Sequence, residues 1–166
     1  RRMLLRLPAG APLLAAGVRS DAREAVMPRL IKEARAHGNV SQRIDFISRA
    51  LLGTRYQADT LVGGPRKKER LVLRDDAFDC VTYCEAVLAA ATASDYADYA
   101  NVLRRIRYAQ GEVRWIERNH DFAQWSQRAV ENKICRGVDI APSATVEKTI
   151  DGSRLGKRHY AIAAIA

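Results

Sequence analysis

Cys80 stands directly after Asp79 and opens an alanine-rich stretch, Cys80 to Ala93, whose composition predicts a helix. Asp79 is the expected N-cap. At such a position the backbone N–H groups and the helix dipole favour an anion, the form in which a thiol attacks a carbonyl. The same N–H groups suit the oxyanion that forms during acyl transfer. Position alone also allows a small buried hydrophobe, the usual place of a cysteine. Cys84 lies one turn further on and shares a face with Cys80, but a disulfide across one turn of an intact helix is geometrically awkward, so none is expected. Cys84 and Cys135 read as packing residues. No further ligands at zinc-binding spacing accompany the cysteines, so no metal site is expected.

A thiolate nucleophile needs a base, normally a histidine oriented by a third polar group. The chain has three histidines. His37 precedes Gly38, an expected helix stop, and suits the negative end of the helix dipole. His159 follows Lys157-Arg158 near the end of the chain and reads as solvent-facing. His120, in Arg118-Asn119-His120-Asp121, falls between an expected strand and an expected helix and is the candidate base. A helix-start histidine bonded to local backbone is the other reading of that position.

The elements that must position these groups follow from periodicity and punctuation. Asp21-x-x-Glu24 matches a capping box, Met27, Leu30, Ile31 and Ala34 share one helical face, Pro28 fits the first turn and Gly38 the stop. Ser41 is the expected cap of a second helix in which Ile44, Ile47 and Leu51 align, ended by Gly53. Residues 54 to 77 read as a loop with one extended piece, Leu71-Val72-Leu73. A helix carries Tyr99, Val102, Leu103 and Ile106 on one stripe. Gln110-Gly111 turns the chain into Val113–Ile116, which alternates like a strand, and Asp121 caps a helix with Phe122, Trp125 and Ala129 on its apolar face. After Pro142, Thr145 to Ile150 alternate, Asp151-Gly152 signals a turn, and Tyr160 to Ala166 read as a strand. Helices first and strands later is an α+β order.

Composition narrows the partners. The 166 residues carry a formal charge of +9 and are 48% apolar, ordinary values for one globular domain. No run approaches the ~18–20 apolar residues of a membrane span, so no integral membrane segment is expected. The basic residues are scattered; the densest cluster, Arg66-Lys67-Lys68 with Arg70, is short and interrupted by Glu69, which argues against nucleic acid and for a solvated loop. Arg1-Arg2-Met3 precedes leucines interrupted by Arg6, Pro8, Gly10 and Pro12, so residues 1–20 read as a signal remnant or disordered arm and 21–166 as the domain.

Six separate blocks, in order, resemble a bacterial cell-wall hydrolase family, the N-acetylmuramoyl-L-alanine amidase-like family of the NlpC-type, papain-like cysteine peptidases. They are Leu52-Gly53-Thr54-Arg55-Tyr56; Thr60-Leu61-Val62-Gly63-Gly64; Glu69-Arg70-Leu71-Val72; Phe78-Asp79-Cys80-Val81-Thr82-Tyr83; Arg105-Ile106-Arg107-Tyr108 with Gly111; and Arg118-Asn119-His120-Asp121-Phe122 through Trp125. The resemblance implies a papain-like fold with a helical first half and short later strands. It implies that Cys80 is the nucleophile, that Tyr56 lines the cleft near the thiolate, and that Asp79 helps hold the peptide substrate. The implied reaction is hydrolysis of an amide in peptidoglycan stem peptides through a thioester, with no metal and no cofactor. The scissile bond is either the γ-D-glutamyl–diamino acid link or the amide joining muramic acid to alanine. The implied location is the periplasm or cell envelope.

The chain also departs from the family's pattern. Arg55 stands where proline is common and Asp121 where an aromatic is usual. The family's base histidine lies in a later strand, in a Leu-Asp-Val-x-His-x-Gly segment that does not occur before Ala166. The domain is therefore expected to be incomplete on its C-terminal side, with an incomplete sheet, and His120 is the base available in its place. The alternative function is an inactive fragment or peptidoglycan-binding module that holds the polymer without cutting it.

Overall fold

The computed structural model describes residues 25–138, 143–152 and 156–165. The expected leader at 1–20 and the capping box Asp21–Glu24 lie outside these residues, as do Pro142 and Ala166.

Apolar spacing builds the helical core. Helix α1 (Val26–Ala34) buries Met27, Leu30, Ile31 and Ala34, the stripe read from the sequence, with Pro28 in its first turn where no backbone bond is lost. Its start is tied down by the Met27 N–H, which donates to the Asp75 carboxylate at 3.1 Å. The helix closes before Gly38 is reached. Helix α2 (Val40–Ala50) is capped by Asn39 instead of Ser41. The reason is a reciprocal capping box: the Gln42 N–H donates to Asn39 Oδ1 at 2.9 Å, and the Asn39 N–H to Gln42 Oε1 at 3.3 Å. Ile47 and Leu51 are buried, and Gly53 at φ +82° reverses the chain.

Helix α3 (Cys80–Thr92) occupies the centre, and α1, α2 and α4 (Tyr96–Arg107) all pack against it. Its alanines Ala86, Ala89, Ala90 and Ala91 are buried, and their small size lets three neighbours approach one helix. Helix α4 buries Tyr99, Val102, Leu103 and Ile106 as expected. Helix α5 (Phe122–Glu131) is capped by Asp121, whose Oδ1 accepts the Gln124 N–H at 2.7 Å; it buries Ala129 but leaves Phe122 exposed.

The expected loop at 54–77 contains four short strands. β1 (Arg55–Tyr56) runs parallel to β4 (Ala77–Phe78), and β2 (Val62–Gly64) pairs antiparallel with β3 (Lys67–Arg70). The extended piece is thus the charged run, not Leu71–Leu73. Within it Glu69 alone turns inward and is buried, while Lys67, Lys68 and Arg70 stay exposed. Val113–Ile116 is likewise no strand. Trp115–Glu117 is one turn of 3-10 helix, and the pairing there is a single antiparallel bridge, Tyr108 to Arg118.

β5 (Ser143–Gly152) and β6 (Gly156–Ile165) form an antiparallel ribbon in unbroken register, from Ser143 opposite Ile165 to Gly152 opposite Gly156. Asp151-Gly152 therefore continues the strand where a turn was expected. The described residues hold five α-helices and three two-stranded sheets, an α+β composition in which short strands interrupt the helical half instead of only following it. None of the described helices is long and apolar enough to cross a membrane.

Candidate active site

Asp79 sets the position of Cys80. Its backbone is extended, its Oδ1 accepts the Thr82 N–H at 2.8 Å, and the Thr82 hydroxyl accepts the Asp79 N–H at 2.9 Å. This reciprocal cap makes Cys80 the first residue of α3, over the turn of backbone N–H groups that have no partner within the helix. The Cys80 side chain is exposed, so the buried-hydrophobe reading of this residue does not hold. Cys84 and Cys135, expected to be packing residues, are exposed too, and all three are free thiols. The Cys84 thiol is pushed up by partial burial first, and by Cys80 and Glu85 second.

The parallel β1–β4 pair brings Tyr56 to the same place. Tyr56 lies in register with Phe78, the Gln57 N–H donates to the Phe78 carbonyl at 2.9 Å, and the next residue along β4 is Asp79. Tyr56 is 71% exposed, a large aromatic side chain positioned by two residues of strand.

His120 arrives on a segment stitched to the end of α4. The Ala109 N–H donates to the Glu117 carbonyl at 2.8 Å and the Asn119 N–H to the Arg107 carbonyl at 3.0 Å. Asn119 Nδ2 donates to the Ile106 carbonyl at 3.0 Å, and Arg128 Nη1 to Asn119 Oδ1 at 2.8 Å. His120 Nε2 lies 2.7 Å from the Trp115 carbonyl oxygen. A carbonyl only accepts, so Nε2 carries the hydrogen and, in the neutral ring, Nδ1 carries the lone pair. The imidazole also leans on the Trp115 ring, centroids 4.6 Å apart.

Tyr56, Asp79, Cys80 and His120 line one open cleft of about 560 Å³, together with Asp59, Gly63, Glu85, Arg118, Asn119 and Asp121. All four residues singled out in the sequence therefore meet at one surface. Of the other two histidines, His37 lies against Phe46 in a groove formed by α2 and the turn before it, and His159 falls opposite Thr149 in the register of the β5–β6 ribbon. No group of three or more His, Cys, Asp or Glu side chains among the described residues is arranged to hold a metal ion.

The sequence reading missed the polar network beneath the cleft. Arg107 Nε donates to Glu85 Oε2 at 2.7 Å, with the two side chains 3% and 2% exposed, and Arg107 Nη1 donates to the Val72 carbonyl at 2.9 Å. Burial pushes the Glu85 carboxyl up, opposed by Arg107. Glu69 Oε1 accepts from the Tyr108 hydroxyl at 3.0 Å and from Arg118 Nη1 at 3.1 Å. Burial and then Glu69 push the Tyr108 phenol up. Gly63, at φ +152°, is glycine for a steric reason: a Cβ there would fall 1.8 Å from Glu69 Oε2. Glu69, Arg107, Tyr108 and Arg118 all stand in the blocks that carry the resemblance, but the sequence did not pair them with one another.

The family model described as N-acetylmuramoyl-L-alanine amidase-like (AmiA-like) matches residues 46–157, well over half of the chain. Among solved structures, a protein from Legionella pneumophila is similar at 29% identity and a TM-score of 0.56 over 63% of this chain. An N-acetylmuramoyl-L-alanine amidase from Bacteroides uniformis is similar at 30% identity and a TM-score of 0.52 over 57% of this chain. The chain spans 36% and 41% of the lengths of these two proteins. No curated protein matches it.

Proposed function

The chain belongs to the N-acetylmuramoyl-L-alanine amidase-like family, and on that premise we propose that it is a cysteine-dependent hydrolase of amide bonds in peptidoglycan stem peptides. One observation carries the reading: an exposed thiol on the first residue of a capped helix shares a cleft with an imidazole whose Nε2 is already committed to a carbonyl. That is the nucleophile, base and orienting group that acyl transfer by a thiol requires. Such an arrangement, on a helix start flanked by short strands, is papain-like in kind, and the NlpC-type assignment belongs to the same proposal.

In the proposed reaction, His120 Nδ1 takes the Cys80 proton as Sγ adds to the amide carbonyl carbon. Backbone N–H groups at the start of α3 face the developing oxyanion. The tetrahedral adduct collapses with cleavage of the C–N bond, and the imidazolium returns the proton to the leaving amine. Water then adds to the thioester with His120 again as base, releasing the carboxyl product and the thiol. Tyr56 walls the cleft and Asp79 holds the peptide, in addition to capping the helix. Because the substrate is the cell wall, the working location is the periplasm or cell envelope.

Muropeptides incubated with the chain are expected to gain new amino and carboxyl termini by mass spectrometry. Cys80→Ala should abolish them and His120→Ala reduce their rate roughly 10²- to 10⁴-fold. No new termini with the wild-type chain overturns the hydrolase. Since the chain spans under half the length of its solved relatives, the second reading is a wall-binding module, and retained muropeptide binding without cleavage is its signature.

A further inference from the structure

In the sequence Glu69 interrupts a basic run, Arg66-Lys67-Lys68 and Arg70. The fold removes that interruption. Glu69 is buried, and its Oε1 accepts from the Tyr108 hydroxyl and from Arg118 Nη1, so its charge is matched inside the molecule. Arg66, Lys67, Lys68 and Arg70 are all exposed, and none of them forms an ion pair among the described residues.

The hairpin holds these cations together. Gly64 pairs with Lys67 and Val62 with Arg70, so three steps along β3 face two along β2, and the turn Pro65-Arg66 joins the strands. The extra residue is a bulge, which re-aims side chains and breaks strict alternation. Lys67, Lys68 and Arg70 therefore end outside although Glu69 stands among them. At ~3.3 Å per residue the four cations span at most roughly 13 Å. Neighbouring charges lie well within the Debye length of ~8 Å. Such a surface attracts a partner that carries several anions at once.

Its place in the molecule says which polyanion that is. Gly63 of β2 lines the cleft that holds Cys80, and the next residues, Gly64, Pro65, Arg66 and Lys67, line a groove at the tip of the hairpin. A polymer whose peptide enters the cleft passes beside the cations. A bilayer is the poorer match. Basic patches anchor there firmly in company with an apolar group, and none of the exposed large apolar side chains belongs to residues 62–70.

We propose that the β2–β3 hairpin is a docking surface for the peptidoglycan polymer, where Arg66, Lys67, Lys68 and Arg70 meet carboxylates that repeat along the wall. The proposal rests on the peptidoglycan reading given above. It adds a second place at which the wall is held, away from the reacting atoms.

Cosedimentation of the full chain carrying Cys80→Ala with purified sacculi tests it, because the polymer then stays uncut. Binding is expected to weaken as sodium chloride rises from about 50 to about 300 mM, where screening shortens the reach of each charge. Replacing Arg66, Lys67, Lys68 and Arg70 together by Gln should weaken it roughly tenfold, since each exposed ion pair contributes a modest factor and four act on one polymer. Replacing Lys32, Arg104, Arg105 and Arg136 by Gln removes the same charge from other exposed positions and should weaken it no more than about twofold. All eight side chains are exposed, so both variants should keep the helical circular-dichroism signal. Equal losses in the two variants overturn the proposal, because net charge and not the hairpin is then responsible. Sacculus binding that survives loss of the hairpin cations overturns it too, as does a parent chain that fails to pellet with sacculi. Tighter binding to vesicles of equal parts phosphatidylglycerol and phosphatidylcholine than to sacculi overturns it in favour of a lipid surface. The hydrolase reading fails separately: a wild-type chain that releases no new termini, with hairpin-dependent sacculus binding intact, counts against cleavage and supports the docking surface.

Discussion

Each buried charge beneath the cleft has one matched partner, and that makes single substitutions more costly than their number suggests. Truncating Arg107 to methionine removes the cation but leaves the Glu85 carboxyl at 2% exposure. Chemical denaturation should show a loss of about 3–5 kcal/mol, the usual effect of breaking a buried pair from one side. A change below 1 kcal/mol would mean that Glu85 finds another partner. The tyrosines make a pH prediction. Burial raises the phenols of Tyr99 and Tyr108 above their ordinary value of 10, and Tyr83 shifts the same way. Above that pH the unfolded chain gives up protons that the folded chain keeps, so this stabilising contribution is complete at lower pH and is lost as pH rises past ~10. Absorbance titration should find Tyr99 and Tyr108 ionising only with alkaline unfolding; smooth ionisation of all six tyrosines before the helical signal falls would contradict it.

At the scale of elements, periodicity and capping were legible while pairing was not. The stripes of α1 and α4 and the Asp79 cap of α3 all stand where spacing put them, because each is a local pattern. The strands of residues 54–77 were missed for the opposite reason. β1 is two residues long and exists through contact with β4, some twenty positions away, and β3 is a run of charges that no strand propensity favours. What seats β3 is the inward turn of Glu69 onto Tyr108 and Arg118. Gly63 is the hinge of that arrangement, and Gly63→Ala tests it: the methyl collides with Glu69 Oε2 in a backbone conformation that disfavours side chains. The thermal midpoint should fall by an amount corresponding to about 1–3 kcal/mol. An unchanged midpoint would show that Glu69 does not pack there.

Taken as a whole, the molecule divides its charge. In a chain of net +9, the described residues place Asp59, Asp79 and Asp121 around one cleft, while the β2–β3 hairpin keeps Lys67, Lys68 and Arg70 exposed. The sequence disclosed Tyr56, Asp79, Cys80 and His120 through six short blocks, and these converge although 64 positions separate Tyr56 from His120. Glu69, Arg118 and Tyr108 stayed hidden as a group because an ion pair between distant segments leaves no periodic mark. The measurement that bears most directly on the proposed chemistry is competitive alkylation by iodoacetamide near pH 7, followed by peptide mapping. Cys80, Cys84 and Cys135 are all exposed, so access alone does not separate them. The expected result is that Cys80 reacts well ahead of the other two and loses that lead in His120→Ala; modification of Cys80 at the pace of Cys135, with or without His120, would contradict a thiol activated for attack.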